Sequence, residues 1–235
     1  MKIKDSVVFV TGANRGLGLA YVRELLSRGA KKVYAGVRDT ASIALPGVIP
    51  IKLDVTNPDE VTAAAALCGD VTLLINNAGI AKAIGFLDPA TIDTAREIFE
   101  ANFYGPIRVT QAFAPILAAN GGGAIINVLS VASWVNSGLL APYAASKSAA
   151  WSFTNGLRAE LSAQGTQVLG LHVGFMDTDM TKGFDAAKIS PDEVAVKTLD
   201  GLEAGLEEVL ADERTRAVKN GLSANPGIYL SPLKR

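Results

Sequence analysis

The chain has 235 residues, 49% of them hydrophobic and 19% charged, with 22 Lys and Arg against 23 Asp and Glu and a formal net charge of -1. That is enough for one large domain with a substantial core, and it leaves no basic field to hold nucleic acid or an anionic membrane, so small molecules are the expected partners. One histidine and one cysteine exclude an internal disulfide and a specific transition-metal centre, so no metal is expected.

Cys68 closes the run "VTAAAALC" and reads as a buried small hydrophobe. The apolar run in "MKIKDSVVFVTGA" is too short for a signal sequence or a membrane span, so a cytoplasmic protein off the membrane is expected.

In chain order, short apolar runs rich in β-branched residues alternate with segments of helical spacing. The runs are "VVFV" at 7–10, "KVYAGV" at 32–37, "VIPIKL" at 48–53, "TLLIN" at 72–76, "AIINVLS" at 124–130 and "QVLGLHV" at 167–173. They lack polar alternation, as strands buried on both faces of a parallel sheet do. After the first, "GLGLAYVRELLSRG" predicts a helix ending at Gly29. After the third, "NPDEVTAAAALC" opens with Asn57 as N-cap and Pro58 in the first turn. "GGGA" at 121–124 falls where a helix hands over to a strand, and Ser190 and Pro191 begin a further helix. The alternation predicts a single α/β domain over 1–235, a Rossmann-like doubly wound parallel sheet with helices on both faces.

Two motifs carry chemistry. "TGANRGLG", at 11–18, follows the first strand and opens the first helix. Its glycines permit a tight turn and close approach of backbone to a pyrophosphate, while the helix N-terminus offers amide donors; a plain tight turn is the alternative. In "APYAASKSAAW", at 141–151, Tyr143 and Lys147 are four residues apart and share one face if the segment is helical. An ammonium beside a phenol favours the phenolate and lowers its pKa.

Taken together, "TGANRGLG", "NNAG" at 76–79, Ser130 and "YAASK" at 143–147 resemble the short-chain dehydrogenase/reductase family, over residues 7 to about 180. The resemblance implies a cofactor-binding half over about 1–120 and a catalytic, substrate-binding half over about 121–235. It implies an oxidoreductase that interconverts a ketone or aldehyde with its alcohol, using NADP(H). Tyr143 would be the acid in reduction and the base in oxidation, and Lys147 would tune it and hold the nicotinamide ribose. Ser130 would bond the substrate oxygen, and Asn102 would complete a proton relay. Cofactor contacts would fall on Gly12, Asn14, Arg15, Gly16, Leu17 and Gly18, on Arg38, Asp54 and Val55, and on Asn77, Ala78, Gly79, Gly174, Met176 and Thr178, with Asn76 bracing the sheet.

Cofactor choice follows from the end of the second strand, where family members that prefer NAD usually carry an acid and this chain has Val37, followed by Arg38. Arg15 and Arg38 would clamp a 2'-phosphate; the alternative is that both are solvated and Asp39 takes an NAD ribose. The chain departs from the family at Val173-Gly174, where Pro-Gly is usual, in its short lid after Thr178, and at its C-terminus, where the family's Gly-rich end is not recognisable. That leaves the seventh strand open, and with it any homodimer or homotetramer built on it. The short lid suggests an open pocket, with Phe86, Trp134, Phe175, Met176 and Phe184 as its apolar walls or else as core. His172 reads as a buried strand histidine, since Tyr143 already supplies the proton chemistry. The competing functions are an NADP(H)-sensing regulator without turnover and an epimerase or dehydratase on the same fold.

Overall fold

The computed structural model describes residues 1–230. Among these residues lies a wholly parallel seven-stranded sheet of β1 (Val7–Thr11), β2 (Lys32–Val37), β3 (Val48–Lys52), β4 (Leu73–Asn76), β5 (Ala124–Val128), β6 (Gln167–His172) and β7 (Glu208–Leu210), in the order β3-β2-β1-β4-β5-β6-β7. The helices are α1 (Gly16–Ser27), α2 (Pro58–Leu67), α3 (Thr91–Phe99), α4 (Gly105–Ala119), α5 (Ala141–Glu160), α6 (Pro191–Glu203) and α7 (Glu213–Gly221). This is the doubly wound Rossmann-like arrangement expected from the alternation of apolar runs.

The strands have no polar side because both faces are covered. On β1, Val8 and Val10 join a core with Leu17, Tyr21 and Leu25 of α1 and Val194 and Leu199 of α6. Val7 and Phe9 join the opposite core, with Val61 of α2, Val109 and Phe113 of α4 and Leu157 of α5. The period of two thus feeds two cores at once. Cys68 is fully buried in the second, as expected of a small hydrophobe.

Caps fix where the helices begin. The Asn57 side chain accepts from the N–H groups of Asp59 (3.0 Å) and Glu60 (3.3 Å), and the Ser190 hydroxyl accepts from Glu193 N–H (3.1 Å).

The structure adds to or departs from the sequence reading in two places. Strand β5 ends at Val128, so Ser130 lies two residues beyond it and caps a 3-10 turn, Val131–Ser133. A three-residue strand, β7, closes the sheet beside β6; it begins with Glu208, and its brevity leaves no apolar run to read. Between α3 and α4 the backbone makes a π-turn, Glu100–Tyr104, which holds Asn102. No helix among the described residues is long and apolar enough to cross a membrane.

The strand order decides where a ligand can sit. From β1 the chain builds outward through β2 to β3, then returns to place β4 on the other side of β1. The turns leaving β1 and β4 therefore diverge, and the crevice between them opens at the carboxyl ends of the strands.

Candidate active site

The crevice is lined by the glycine loop and the segment after β4, which are bonded to each other. The Thr11 hydroxyl donates to Ile75 O (3.3 Å) and accepts from the N–H groups of Asn77 and Ala78 (both 3.0 Å). The Asn77 amide donates to Thr11 O (2.9 Å) and Gly12 O (3.2 Å). Gly12 has φ +65°, and a Cβ there would lie 3.0 Å from Ala78 Cα. Arg15, the N-cap of α1, gives no side-chain cap, so the first-turn N–H groups remain open to an anion. Asn14 is tied to Ser42 (3.1 Å), and the Leu17 side chain is buried in the core, leaving its backbone to the loop.

At the end of β2, Val37 is buried and Arg38 is exposed. The exposed Asp39 side chain accepts from Ala41 N–H (3.0 Å) on one oxygen and caps the turn Thr40–Ser42. Arg15, itself exposed, stands 3.7 Å from Asp179 in the lid. Burial raises the Asp54 carboxyl, but bonds from Thr56 and the charges of Arg38 and Lys52 outweigh it and hold the group below its ordinary value. The Val55 side chain packs against Gly105 at the start of α4.

Ser130, Tyr143 and Lys147 converge at the carboxyl edge. The Ser130 hydroxyl accepts from Ala132 N–H (3.1 Å), which fixes its rotamer. Tyr143 lies in the first turn of α5, with Lys147 one turn further along. The Lys147 side chain is buried, its Nζ donating to Val128 O (2.7 Å) and standing 5.8 Å from the centre of the Tyr143 ring.

Here the electrostatic expectation needs correction. Burial raises the Tyr143 phenol above its ordinary value, with its Ser130 neighbour opposing, and no lowering by Lys147 is found. The reason is that the lysine itself is desolvated: burial depresses its ammonium to about 8. In this arrangement Tyr143 keeps its proton, and Lys147 is the group poised to gain or lose one near neutral pH.

Asn102 is buried in the π-turn. Its side chain accepts from Ile80 N–H (2.8 Å) and donates to Ile80 O (2.9 Å) and the Ser146 hydroxyl (3.1 Å). It thereby ties the loop following "NNAG" to α5. A Cβ on Gly79 would lie 3.1 Å from Asn102 Oδ1, tight against that side chain, and 3.9 Å from Lys147 Nζ, at ordinary contact. Asn76 donates to Thr110 (3.0 Å) and Asn127 (2.9 Å), bracing β4 against α4 and β5.

The lid folds back on the glycine loop. Met176 pairs with Ile189, and the Thr178 methyl lies 3.3 Å from where a Gly16 Cβ would be. Gly174 N–H donates to Asp212 Oδ2 (2.6 Å). The Phe175 and Phe184 rings meet in the lid with centroids 5.5 Å apart and planes tilted by 35°, and Phe86 is 56% exposed on the loop after β4. Trp134 belongs to a satellite core with Val131, Val135, Val218 and Ile228, its ring stacked on His172, so its ring is engaged in packing. His172 is fully buried at the end of β6. Asp212, Glu208 and Lys219 went unnoticed in the sequence because they lie in the unreadable C-terminal part. No cluster of three potential metal ligands occurs among the described residues.

The cradle fits a dinucleotide. Two glycines have no room for a Cβ, the α1 N-terminus is uncapped, and a buried ammonium faces the same crevice.

Comparisons with known proteins agree. A family model described as short chain dehydrogenase matches residues 6–188. A short chain dehydrogenase from Burkholderia cenocepacia, solved in complex with NADP, is 40% identical and superposes with a TM-score of 0.92 over 96% of each chain. The 3-oxoacyl-[acyl-carrier-protein] reductase FabG of Vibrio cholerae is 31% identical, over 96% of this chain and 92% of that protein. The short chain dehydrogenase pigC of Monascus ruber is 30% identical over 78% of this chain, which spans just 66% of that relative's length.

Proposed function

The chain belongs to the short-chain dehydrogenase/reductase family of oxidoreductases, and from that premise we propose that it is an NADP(H)-dependent carbonyl reductase or alcohol dehydrogenase. The observation that carries this reading is the approach of Tyr143, Lys147 and Ser130 at the edge of a cradle shaped for a dinucleotide.

When bound, the nicotinamide would supply or accept the hydride. The chain supplies everything else. The Ser130 hydroxyl donates to the substrate carbonyl oxygen and orients it beside Tyr143. Tyr143, protonated because it is buried, gives its phenolic proton to that oxygen as the carbon is reduced, leaving an alcohol and a phenolate. The Lys147 ammonium then returns a proton to the phenolate. In oxidation the steps run in reverse: neutral Lys147 takes the phenolic proton of Tyr143, and the phenolate then takes the proton of the alcohol. The preference for NADP(H) rests on the engagement of Asp39 in its own turn, on Arg15 and Arg38 exposed near the end of β2, and on the NADP bound by the Burkholderia relative.

The test is Tyr143→Phe. With NADPH and a panel of aryl ketones, keto esters and aldehydes, turnover should fall by about 10²–10⁴-fold while NADPH binding persists. Substantial residual turnover would remove Tyr143 from the role of proton donor.

A further inference from the structure

His172, the only histidine, has no part in the proton chemistry, yet it is the most constrained polar side chain behind the catalytic serine. Its ring is fully buried and stacks on Trp134 with centroids 3.9 Å apart and planes at 19°. Nδ1 lies 3.2 Å from the carbonyl oxygen of Ser130. A carbonyl oxygen only accepts, so Nδ1 carries a proton and donates it to Ser130. The Ser130 carbonyl thus accepts twice, from this ring and from Ser133 N–H at 2.9 Å.

The far side of the ring is held as deliberately. Nε2 is buried without a hydrogen-bond partner and looks toward Glu208 Oε1, 3.5 Å away. Lys219 grips both oxygens of that carboxylate, at 2.9 and 2.8 Å, and its ammonium stands 4.9 Å over the Trp134 ring. Contact with His172 and Lys219 holds the Glu208 carboxyl down at about 2 against the effect of burial, so it is charged near neutral pH. The chain Lys219–Glu208–His172–Ser130 therefore runs from α7 through β7 and β6 to the serine.

We propose that His172 is a positioning residue for Ser130: its Nδ1–H pins the Ser130 carbonyl and so sets the direction in which the hydroxyl is presented to Tyr143. The role rests on the proposed function, in which Ser130 orients the substrate oxygen. It also gives a reason for a polar ring where a leucine would pack as well.

Two variants separate positioning from packing. His172→Leu keeps bulk and removes the donor, whereas His172→Asn places an amide N–H near the site of Nδ1 and loses the ring. His172→Leu should lower kcat roughly tenfold with the Kd for NADPH unchanged, and His172→Asn should recover most of that loss without a higher Tm. A folded His172→Leu with unaltered kcat overturns the role, as does an equal loss in both variants. A second measurement does not depend on either variant folding: the ring nitrogen signals of this single histidine, read by long-range ¹H–¹⁵N correlation, should show a proton on Nδ1, and a ring protonated on Nε2 alone would refute the contact. Absence of any carbonyl turnover by the unaltered protein instead brings down the reductase reading, and the catalytic role of His172 with it.

Discussion

Gly18→Ala puts the cradle to the sharpest test, because two known effects oppose each other there. In a helix interior alanine is favoured over glycine by about 1 kcal/mol. At this position, however, a Cβ would stand 2.1 Å from the Gly12 carbonyl oxygen and 2.7 Å from Asn77 Nδ2. The obstacle is backbone rather than the end of a flexible side chain, and it is tethered: Gly12 O accepts from Asn77 Nδ2 (3.2 Å), and Gly12 N–H donates to Gly36 O (2.9 Å). Relieving the overlap means moving the loop and losing the Asn77 bond, and overpacking of this kind costs about 1–3 kcal/mol. The overlap wins. With the lost Asn77 bond adding about 0.5–1.5 kcal/mol and the alanine preference returning about 1, we expect a net destabilisation of about 0.5–3.5 kcal/mol, which lowers Tm by about 1–14 °C in a chain of this size. A displaced loop also misplaces the amides that would hold a pyrophosphate, so NADPH should bind at least tenfold more weakly, about 1.4 kcal/mol. Thermal unfolding and a fluorescence titration with NADPH measure the two effects. Gly156 on α5 is the control: nothing lies within 4 Å of a Cβ there, so Gly156→Ala should stabilise by about 0.5–1 kcal/mol. Equal behaviour of the two variants would refute the argument.

Further outcomes follow from the same geometry. Burial holds Lys147 at about 8 against an ordinary 10.5, so between those values the unfolded chain keeps a proton that the folded chain has released, and stability rises with pH across that window. Denaturant titrations of the native chain and Lys147→Met should diverge there, and parallel curves would refute the shift. Asp212→Ala removes the α7 cap and the acceptor of Gly174 N–H, and should cost about 1–3 kcal/mol, checked by denaturant midpoint; an unchanged midpoint would show that Asp212 does not hold the loop. Arg38→Ala should reduce the ratio of NADPH to NADH turnover roughly tenfold by raising KM for NADPH, whereas an unchanged ratio would take Arg38 out of the phosphate clamp.

Six of the seven strands were legible because burial on both faces leaves continuous apolar runs, and β1 shows why: Val7 and Phe9 serve one core while Val8 and Val10 serve the other. The glycine loop was legible for a different reason, since only glycine meets its steric demands. The π-turn was not. Gly105-Pro106 in "EANFYGPIRV" marks a break in the helical pattern but not its kind, and the wider turn places Asn102 where it bonds Ile80 and Ser146, both distant in sequence. The state of Tyr143 was misjudged for the same kind of reason. Spacing placed an ammonium near the phenol but could not reveal that Lys147 would be desolvated and turned toward Val128.

Two oddities that looked separate in the sequence, the missing proline before Gly174 and the unrecognisable C-terminus, have one explanation in three dimensions. Proline would restrict the backbone where the chain leaves β6. Val173 supplies no such restriction, yet the segment is held residue by residue: His172 by Ser130 O and the Trp134 stack, Val173 O by Val131 N–H (2.9 Å), and Gly174 N–H by Asp212 (2.6 Å). Asp212 follows β7, and Glu208 and Lys219 behind His172 come from β7 and α7. The C-terminal elements therefore provide from outside the rigidity that a ring within the backbone would provide from inside. A lid anchored in this way can be short, because its first residues are fixed by hydrogen bonds before it reaches Thr178 and the glycine loop.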